Sequence, residues 1–384
     1  MKVESFFYHI EKGWSDLEKA RVLDSEKSLI VTFFSPLFAD RQDIFDELKS
    51  RFPKTQIVGC STSGEIAQDH VRDRSLTCVI MKFNKGHYKL EHIQIDGAEK
   101  SYKHGQELAR KFPQQDLKGL LVLADGLNSN GSDLVRGINS QFDSEQVVIS
   151  GGLAGDGSDF SKTHLYHSDK ISSKNVLGIG FYGKDLTVTH GTRGGWDIFG
   201  PKREITKSDG NILYEIDGGP ALKLYKEYLG EKAKDLPASG LFFPLELSFA
   251  DNDKKLVRTI LGVDEETQSL MFAGNIPQGA NAQLMRANFN RVIEGANDAC
   301  LQANQTSDIP EADSLIFAVS CVGRRLVLGS RSDDEIEAID ESSPGSTVVG
   351  FYSYGELSPI EKGSPCELHN QTMTIMKVFE RKAT

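Results

Sequence analysis

Two ten-residue stretches carry most of the chemistry-bearing side chains in regular order. Residues 57–66 read Ile-Val-Gly-Cys-Ser-Thr-Ser-Gly-Glu-Ile, and residues 348–357 read Val-Val-Gly-Phe-Tyr-Ser-Tyr-Gly-Glu-Leu. Aligned without gaps, both give an apolar residue, Val, Gly, a hydroxyl residue, Gly, Glu and an aliphatic. A looser third copy, Val147 to Gly157, contributes Gly151, Gly152, Gly155 and Asp156. A β-branched run entering a loop of glycine and hydroxyl residues predicts a buried strand that ends where backbone turns sharply or meets something closely. Glu65 and Glu356 are either an acid/base pair or two carboxylates that each accept N–H bonds from their own loop. Cys60 is a nucleophile or a buried thiol. Arg324 and Arg325, adjacent cations at an expected strand end, would form a bidentate pair with a ligand carboxylate or with Glu356, or a structural salt bridge.

Other chemistry is missing its pattern. No Gly-x-Ser-x-Gly elbow, Walker A or Gly-x-Gly-x-x-Gly loop follows a first strand. The nine histidines include no His-Glu-x-x-His, and the five cysteines form no Cys-x-x-Cys. The 384 residues with net charge −11 argue against a nucleic-acid surface. No apolar run reaches the roughly 18 residues of a membrane span, and the start has no signal-peptide pattern, so a cytoplasmic protein is expected.

The elements that must position these residues recur. Residues 28–34 read as a buried strand; Asp40 is expected to cap a helix carrying Ile44, Phe45 and Leu48; Gln56 to Val58 returns as a strand. Residues 120–124, a helix from Ser132, and 146–149 repeat the plan, as do 314–319, a helix from about Asp333, and 347–349. From Leu29 to Gly59 is 30 residues, from Leu121 to Gly151 is 30, and from Leu315 to Gly350 is 35. The extra residues fall in Cys321 to Gly329, expected as an inserted turn and short apolar segment. Strand, helix, strand at this spacing is a parallel βαβ crossover, duplicated or triplicated. Hairpins are expected around 84–86, 183–185, 251–253 and 264–266, and one long helix over about 281–303.

The same motifs resemble the FIST proteins. Val58 to Glu65 and Ser150 to Gly157 look like the glycine loops of a FIST N domain. Thr206 to Gly218 and Pro220 to Leu222 look like the junction, and Phe317 to Arg325, Val349 to Glu356 and Leu368 to Thr372 look like a FIST C domain. The resemblance implies small-ligand sensing linked to signal transduction, amino acids being among the family's proposed ligands. Arg193 to Pro201 is similar to a haem-containing subset that senses nitric oxide and regulates a partner histidine kinase. It implies a haem b iron held by His369 or His190.

The expectation is an α/β protein of two related domains, residues 1–218 and 219–384, with mixed sheets built from repeated βαβ units. A ligand cleft would open at the glycine-rich loops, beyond the carboxyl ends of the parallel strands. Its expected lining is Gly59, Cys60, Ser61, Ser63, Glu65, Gly152, Asp156, Arg324, Arg325, Tyr354, Glu356 and Asn370. The functional reading is a non-enzymatic sensor of nitric oxide through haem, signalling to a histidine kinase. The alternatives are a haem-free sensor of amino acids or another small anion, and an enzyme using Cys60 or Glu65.

Overall fold

In a computed structural model, residues 1–249 and 252–382 are described. All three expected crossovers are present, each with parallel strands. Ser28–Phe34 pairs with Gln56–Ser61, Leu117–Ala124 with Val148–Leu153, and Pro310–Cys321 with Ser346–Ser353. The connecting helices are Gln42–Arg51, Gly131–Asn139 and Ser332–Ser342.

Each pair sits in its own mixed sheet, and the three sheets are wired alike. The first parallel strand is flanked by an antiparallel closing strand: Ser75–Lys82, Asn175–Tyr182 or Met373–Arg381. Beyond it lies an edge strand, respectively Lys2–His9, His87–Gln94 or Leu186–Arg193. The other flank is not the unit's own. Glu65–Ala67, which follows the first glycine loop, pairs with the third unit's Ser346–Ser353. Leu165–His167 pairs with the first unit's Gln56–Ser61, and Gly355–Pro359 with the second unit's Val148–Leu153. Each unit therefore gives a strand to the next, and the ring closes after three.

Alternation along the central strands explains the packing, because successive side chains point to opposite faces. Leu29, Val31 and Phe33 meet Leu121, Leu123, Leu315, Phe317 and Val319 in one core between the sheets. There the Phe33 ring stacks on Phe351 with centroids 4.9 Å apart. The alternate residues face outward onto helices: Ile30 and Phe34 on Ile44, Phe45 and Leu48; Leu120 and Val122 on Leu134 and Ile138; Ile316 and Ala318 on Ile336 and Ile339.

The repeated glycine has a steric cause. Gly59, Gly151 and Gly350 lie in register with Thr32, Val122 and Ala318. A Cβ at each would fall 1.8, 1.9 and 1.7 Å from the carbonyl oxygen of that partner. No side chain fits there.

The third unit carries an insertion between its edge strand and the helix Phe289–Ala303. Strands from Asp197–Ile198 to Asn281–Arg286 form a nine-stranded antiparallel sheet with its own core around Leu213, Leu222, Leu247 and Phe272. The boundary expected at 218/219 falls inside this sheet, between Ile212–Ile216 and its partner Gly219–Pro220.

Local expectations needed four corrections. Asp40 caps nothing: the N-cap of Gln42–Arg51 is Arg41, without a side-chain bond. The second crossover helix is capped by Asn130, whose side chain accepts from Asp133 N, two residues ahead of the expected start at Ser132. The long helix over 281–303 is a strand, Asn281–Arg286, and then a helix, Phe289–Ala303, because Asn288 caps a new start by accepting from Arg291 N. The segment after Cys321 is a helix, Val322–Leu328. Of the expected hairpin at 251–253, Asp251 lies outside the described residues, while the flanking strands Leu245–Phe249 and Asn252–Arg258 do pair.

Gly350→Ala is expected to cost at least about 3 kcal/mol, since it forces a Cβ into a backbone oxygen between two central strands. Gly219→Ala, where a Cβ meets nothing nearer than 3.7 Å, should shift stability by less than about 1 kcal/mol. Urea unfolding of both variants checks this.

Candidate functional site

The glycine loops leave the carboxyl ends of the parallel strands and meet, but they close on one another. Ser61 Oγ donates to Gly155 O at 2.7 Å and accepts from His164 N at 2.9 Å. Ser63 Oγ donates to Gly157 O at 2.8 Å, and Ser63 N to Tyr352 O at 2.8 Å. The Tyr354 hydroxyl bonds Asp156, whose carboxylate also accepts the N–H groups of Phe160, Ser161 and Lys162. Burial opposes charge on Asp156, but the bonds from Tyr354 and from those amides hold its carboxyl below the usual range. Gly152 packs under Val319 and Phe351. The open cleft expected over all three loops is instead an interlocked plug.

The paired glutamates each serve their own loop. Glu65 accepts from Thr62 Oγ1 at 2.6 Å and from Ser75 N and Oγ at 3.2 and 2.7 Å. Glu356 accepts from Ser353 Oγ at 2.7 Å and from Thr372 N and Oγ1 at 3.3 and 3.1 Å. In the second unit Asp125 does the same work, accepting from Thr163 Oγ1 and Lys174 N. Burial pushes both glutamates up to about 8, only partly offset by these bonds. Burial likewise pushes the Cys60 thiol well up.

The two arginines are also spent inside the protein. Arg324 is fully buried, paired with Glu335 at 2.7 Å and donating to Val292 O. Tyr352 and Ser320 complete the shell around Glu335. Arg325 bonds Asp73 at 2.6 Å and Ser63 O at 2.6 Å, tying the helix Val322–Leu328 to the first loop. The partner of Arg324 is thus Glu335 rather than Glu356 or a ligand.

The residues present do not fit a haem. His369 is buried in a strand pair with Glu356, and its Nε2 lies 2.9 Å from Ser358 O. His190, which burial lowers to about 4, borders a cavity whose walls include Lys118, Lys184, Arg193, Lys362 and Glu361. A macrocycle with apolar faces is not served by such walls. Among the described residues no cluster of three His, Cys, Asp or Glu could hold a metal ion, and no helix is long and apolar enough to cross a membrane.

That cavity, of about 690 Å³, is one of three related seams. It runs between the third unit's edge strand and the start of the second unit's strand Val148–Leu153. A seam of about 280 Å³ lies between Glu4, Ser5 and Ser346 to Val348, and one of about 430 Å³ between His87 to Leu90 and Gln56. Each joins an edge strand to the neighbouring unit's second parallel strand, so the fold itself generates them.

A cavity of about 310 Å³ has no counterpart in that pattern. Its floor comes from the third unit: Cys321, Val322, Gly323, Leu326, Tyr354 and Asn370. Its roof comes from the insertion: Leu236, Leu241, Thr259, Ile260 and Ala273. Phe160 of the second loop forms a wall, its ring stacked on Tyr354 at 4.4 Å and 10°. The lining is apolar apart from a few groups, and two of these have oxygens with no protein partner: Thr259 Oγ1 and Asn370 Oδ1. Phe160, Leu261 and Leu326 remain 47, 45 and 47% exposed around its mouth. Of the residues expected at a ligand site, Tyr354 and Asn370 border this cavity. Thr259, Phe160 and the insertion's residues were missed, because nothing in their local sequence marks them.

The FIST N domain family matches residues 28–219 and the FIST C domain family residues 221–359. The chain belongs to the FIST family. FIST domains generally sense small ligands in signalling. An uncharacterized protein of Methanocaldococcus jannaschii is 24% identical over 86% of this chain and 69% of its own length. An uncharacterized protein of Mycobacterium tuberculosis is 23% identical over 62% of this chain and 63% of its own length. The chain thus spans just under two thirds of that mycobacterial relative. The crystal structure of the cyanuric acid hydrolase from A. caulinodans aligns over 100% of this chain and 99% of its own, with a TM-score of 0.37 and 9% identity. The two matched FIST domains abut at 219/221, inside the inserted sheet, while the strand exchange ties them together.

Because burial raises the folded-state value of Glu65 and Glu356 to about 8, above the ordinary carboxyl value of 4.5, their contribution is complete below pH 4.5 and lost as pH rises through 8. Glu65→Gln and Glu356→Gln should therefore flatten the fall in stability between pH 5 and 8, by up to about 1.4 kcal/mol per pH unit each. Denaturant melts across that range read the slope.

Proposed function

We propose that this FIST protein is a non-enzymatic sensor whose small ligand occupies the cavity of about 310 Å³ between the third glycine loop and the inserted sheet. The observation that carries this reading is an apolar cavity walled on one side by Cys321, Val322 and Leu326 of the third unit and on the other by Leu241, Ile260 and Ala273 of the insertion. A concave, mostly apolar pocket at the junction of two parts of a fold is the ordinary form of a small-ligand site. Its position beyond the end of the strand Pro310–Cys321 is where ligands of parallel sheets bind.

The rest of the molecule fits binding better than turnover. Cys60 is enclosed and protonated, and Glu65 and Glu356 are held by separate loops. The haem and nitric oxide reading lacks a histidine at the apolar cavity: His369 Nε2 is bonded to Ser358 O, and His190, whose Nδ1 has no partner, borders the charged walls of the larger cavity instead. The anion reading loses its cations, since Arg324 and Arg325 are committed to Glu335 and Asp73.

Signal output follows from what the cavity touches. Tyr354 bonds Asp156 of the second loop, and Leu326 lies on the helix whose Arg325 holds the first loop. A ligand seated there contacts parts joined to all three units. Within the proposal, the recipient is a separate signalling protein, a histidine kinase being the class that the family resemblance supplies.

Ala273→Phe fills the cavity from its roof. A ligand at 100 times its Kd should add about 2.7 kcal/mol to the wild type and nothing to Ala273→Phe. A thermal-shift screen of amino acids and uncharged metabolites against both proteins measures this. A hit that stabilises both equally places the ligand elsewhere and rejects the reading.

A further inference from the structure

Repetition accounts for the seams between the units, but not for what the largest of them presents. Five consecutive residues of the edge strand Leu186–Arg193, from Leu186 to His190, border the seam of about 690 Å³. Successive side chains of a strand point to opposite faces, so five in a row border one cavity when the strand turns its backbone edge toward it.

Strand register gives the direction of each backbone group. Leu186–Arg193 pairs antiparallel with Met373–Arg381 over its whole length. In such a ladder, residues bonded to the partner alternate with residues whose N–H and C=O point away from it. Arg381 N donates to Asp185 O at 2.8 Å, so the odd-numbered residues face the partner. The even-numbered ones must find other acceptors: Thr192 N donates to Gln302 Oε1 at 3.0 Å, and Leu186 N to Gly183 O at 3.1 Å. Val188 and His190 belong to this outward set, and no described loop or side chain bonds their backbone groups. Unpaired edge groups of this kind are a template for another strand. The edge strand His87–Gln94 also borders its seam through consecutive residues, His87 to Leu90, but that seam is smaller and its Lys89 is paired with Glu91.

Charge sets the larger seam apart. The chain carries −11 overall, yet the walls bring together Lys118, Lys184, Arg193, Lys362 and Arg381. Glu145, Asp308 and Glu361 are the acidic residues there, and Asp308 already lies 3.9 Å from Arg381 and accepts from Thr187 Oγ1. No carboxylate of the described residues pairs with Lys118, Lys184 or Lys362. Lys184 and Lys362 are exposed, where unpaired cations steer and select an acidic partner. A small anion would use these cations alone, whereas an extended chain would also complete the edge.

We propose that this seam takes an extended acidic segment of a partner protein, added as a strand against Val188 and His190. The outward backbone groups hold the segment, and the lysines select its charge. The surface is separate from the cavity of about 310 Å³ and does not depend on what that cavity binds.

Random peptides of the edge strand's own length, eight residues, are displayed on phage and selected on the full chain. Enriched peptides are then titrated against wild type, Val188→Pro and the double variant Lys184→Glu, Lys362→Glu. Proline at 188 removes an outward N–H and leaves the ladder to Met373–Arg381 on the odd-numbered residues, a place where edge strands tolerate it. The two lysines are exposed and unpaired, so their reversal leaves the melting temperature unchanged. Enriched peptides should contain more Asp and Glu than the library and bind each variant about tenfold more weakly. N-methylation along the peptide backbone, read on wild type, should block binding at alternate residues only, because one side of an added strand meets the edge. Failure to enrich any peptide, binding unchanged by Val188→Pro, or tolerance of a methyl group at every position overturns strand addition. Enrichment without acidic bias overturns the charge selection. Citrate that displaces the peptides, binds wild type and Val188→Pro alike and is lost with the two lysines makes the seam a small-anion site and overturns the proposal.

Discussion

Three backbone carbonyl oxygens, on Thr32, Val122 and Ala318, occupy the space where a neighbouring residue's Cβ would stand. Everything distinctive about the molecule depends on that contact. It admits only glycine at 59, 151 and 350 and lets each parallel pair approach at its carboxyl end. The chain can then leave its own sheet and complete the next. Three donated strands close a ring, and the central core of Phe33, Phe317 and Phe351 is sealed because no unit is complete alone. Large buried polar groups follow from the same closure. Once the loops interlock, Glu65, Glu356 and Asp125 are shut in, and each is satisfied by hydroxyl and amide donors, some from its own loop and some from the segment leading into the closing strand.

The proposed ligand site lies where the symmetry is broken. The seams between sheets recur because the units recur, and repetition is a sufficient explanation for them. The cavity of about 310 Å³ lies outside that pattern. It exists because one unit carries an added antiparallel sheet that folds back over the end of its first strand. A scaffold of three like units with one covered end gives the proposed sensing a physical basis. The bound molecule would touch a place that differs from the other two, while the bonds from Tyr354 to Asp156 and from Arg325 to Ser63 carry its presence to both neighbours.

The sequence and the structure agree most closely where the signal is local and periodic. The strands at 28–34, 120–124 and 314–319 were visible as short apolar runs, and the spacings of 30, 30 and 35 residues to the following glycine revealed the repeat. Agreement fails where a choice depends on a distant partner. Asp40 looks like a cap but the helix starts two residues later; Asn281 to Ala303 looks continuously helical but its first part adds to the inserted sheet. Arg324 beside a strand end looks poised for a ligand, yet Glu335 from the following helix reaches it first.

By itself, the amino-acid order determined the three crossovers, the glycines that end them and the family, because these rest on periodicity and on residue types that few backbone shapes accept. Only the folded chain decided that the loops plug one another, that Arg324 and Glu335 pair, and that Thr259 and Asn370, 111 residues apart in sequence, border one cavity. Such placements arise from strand exchange between units, and no pattern within a short window records which distant strand will complete a sheet.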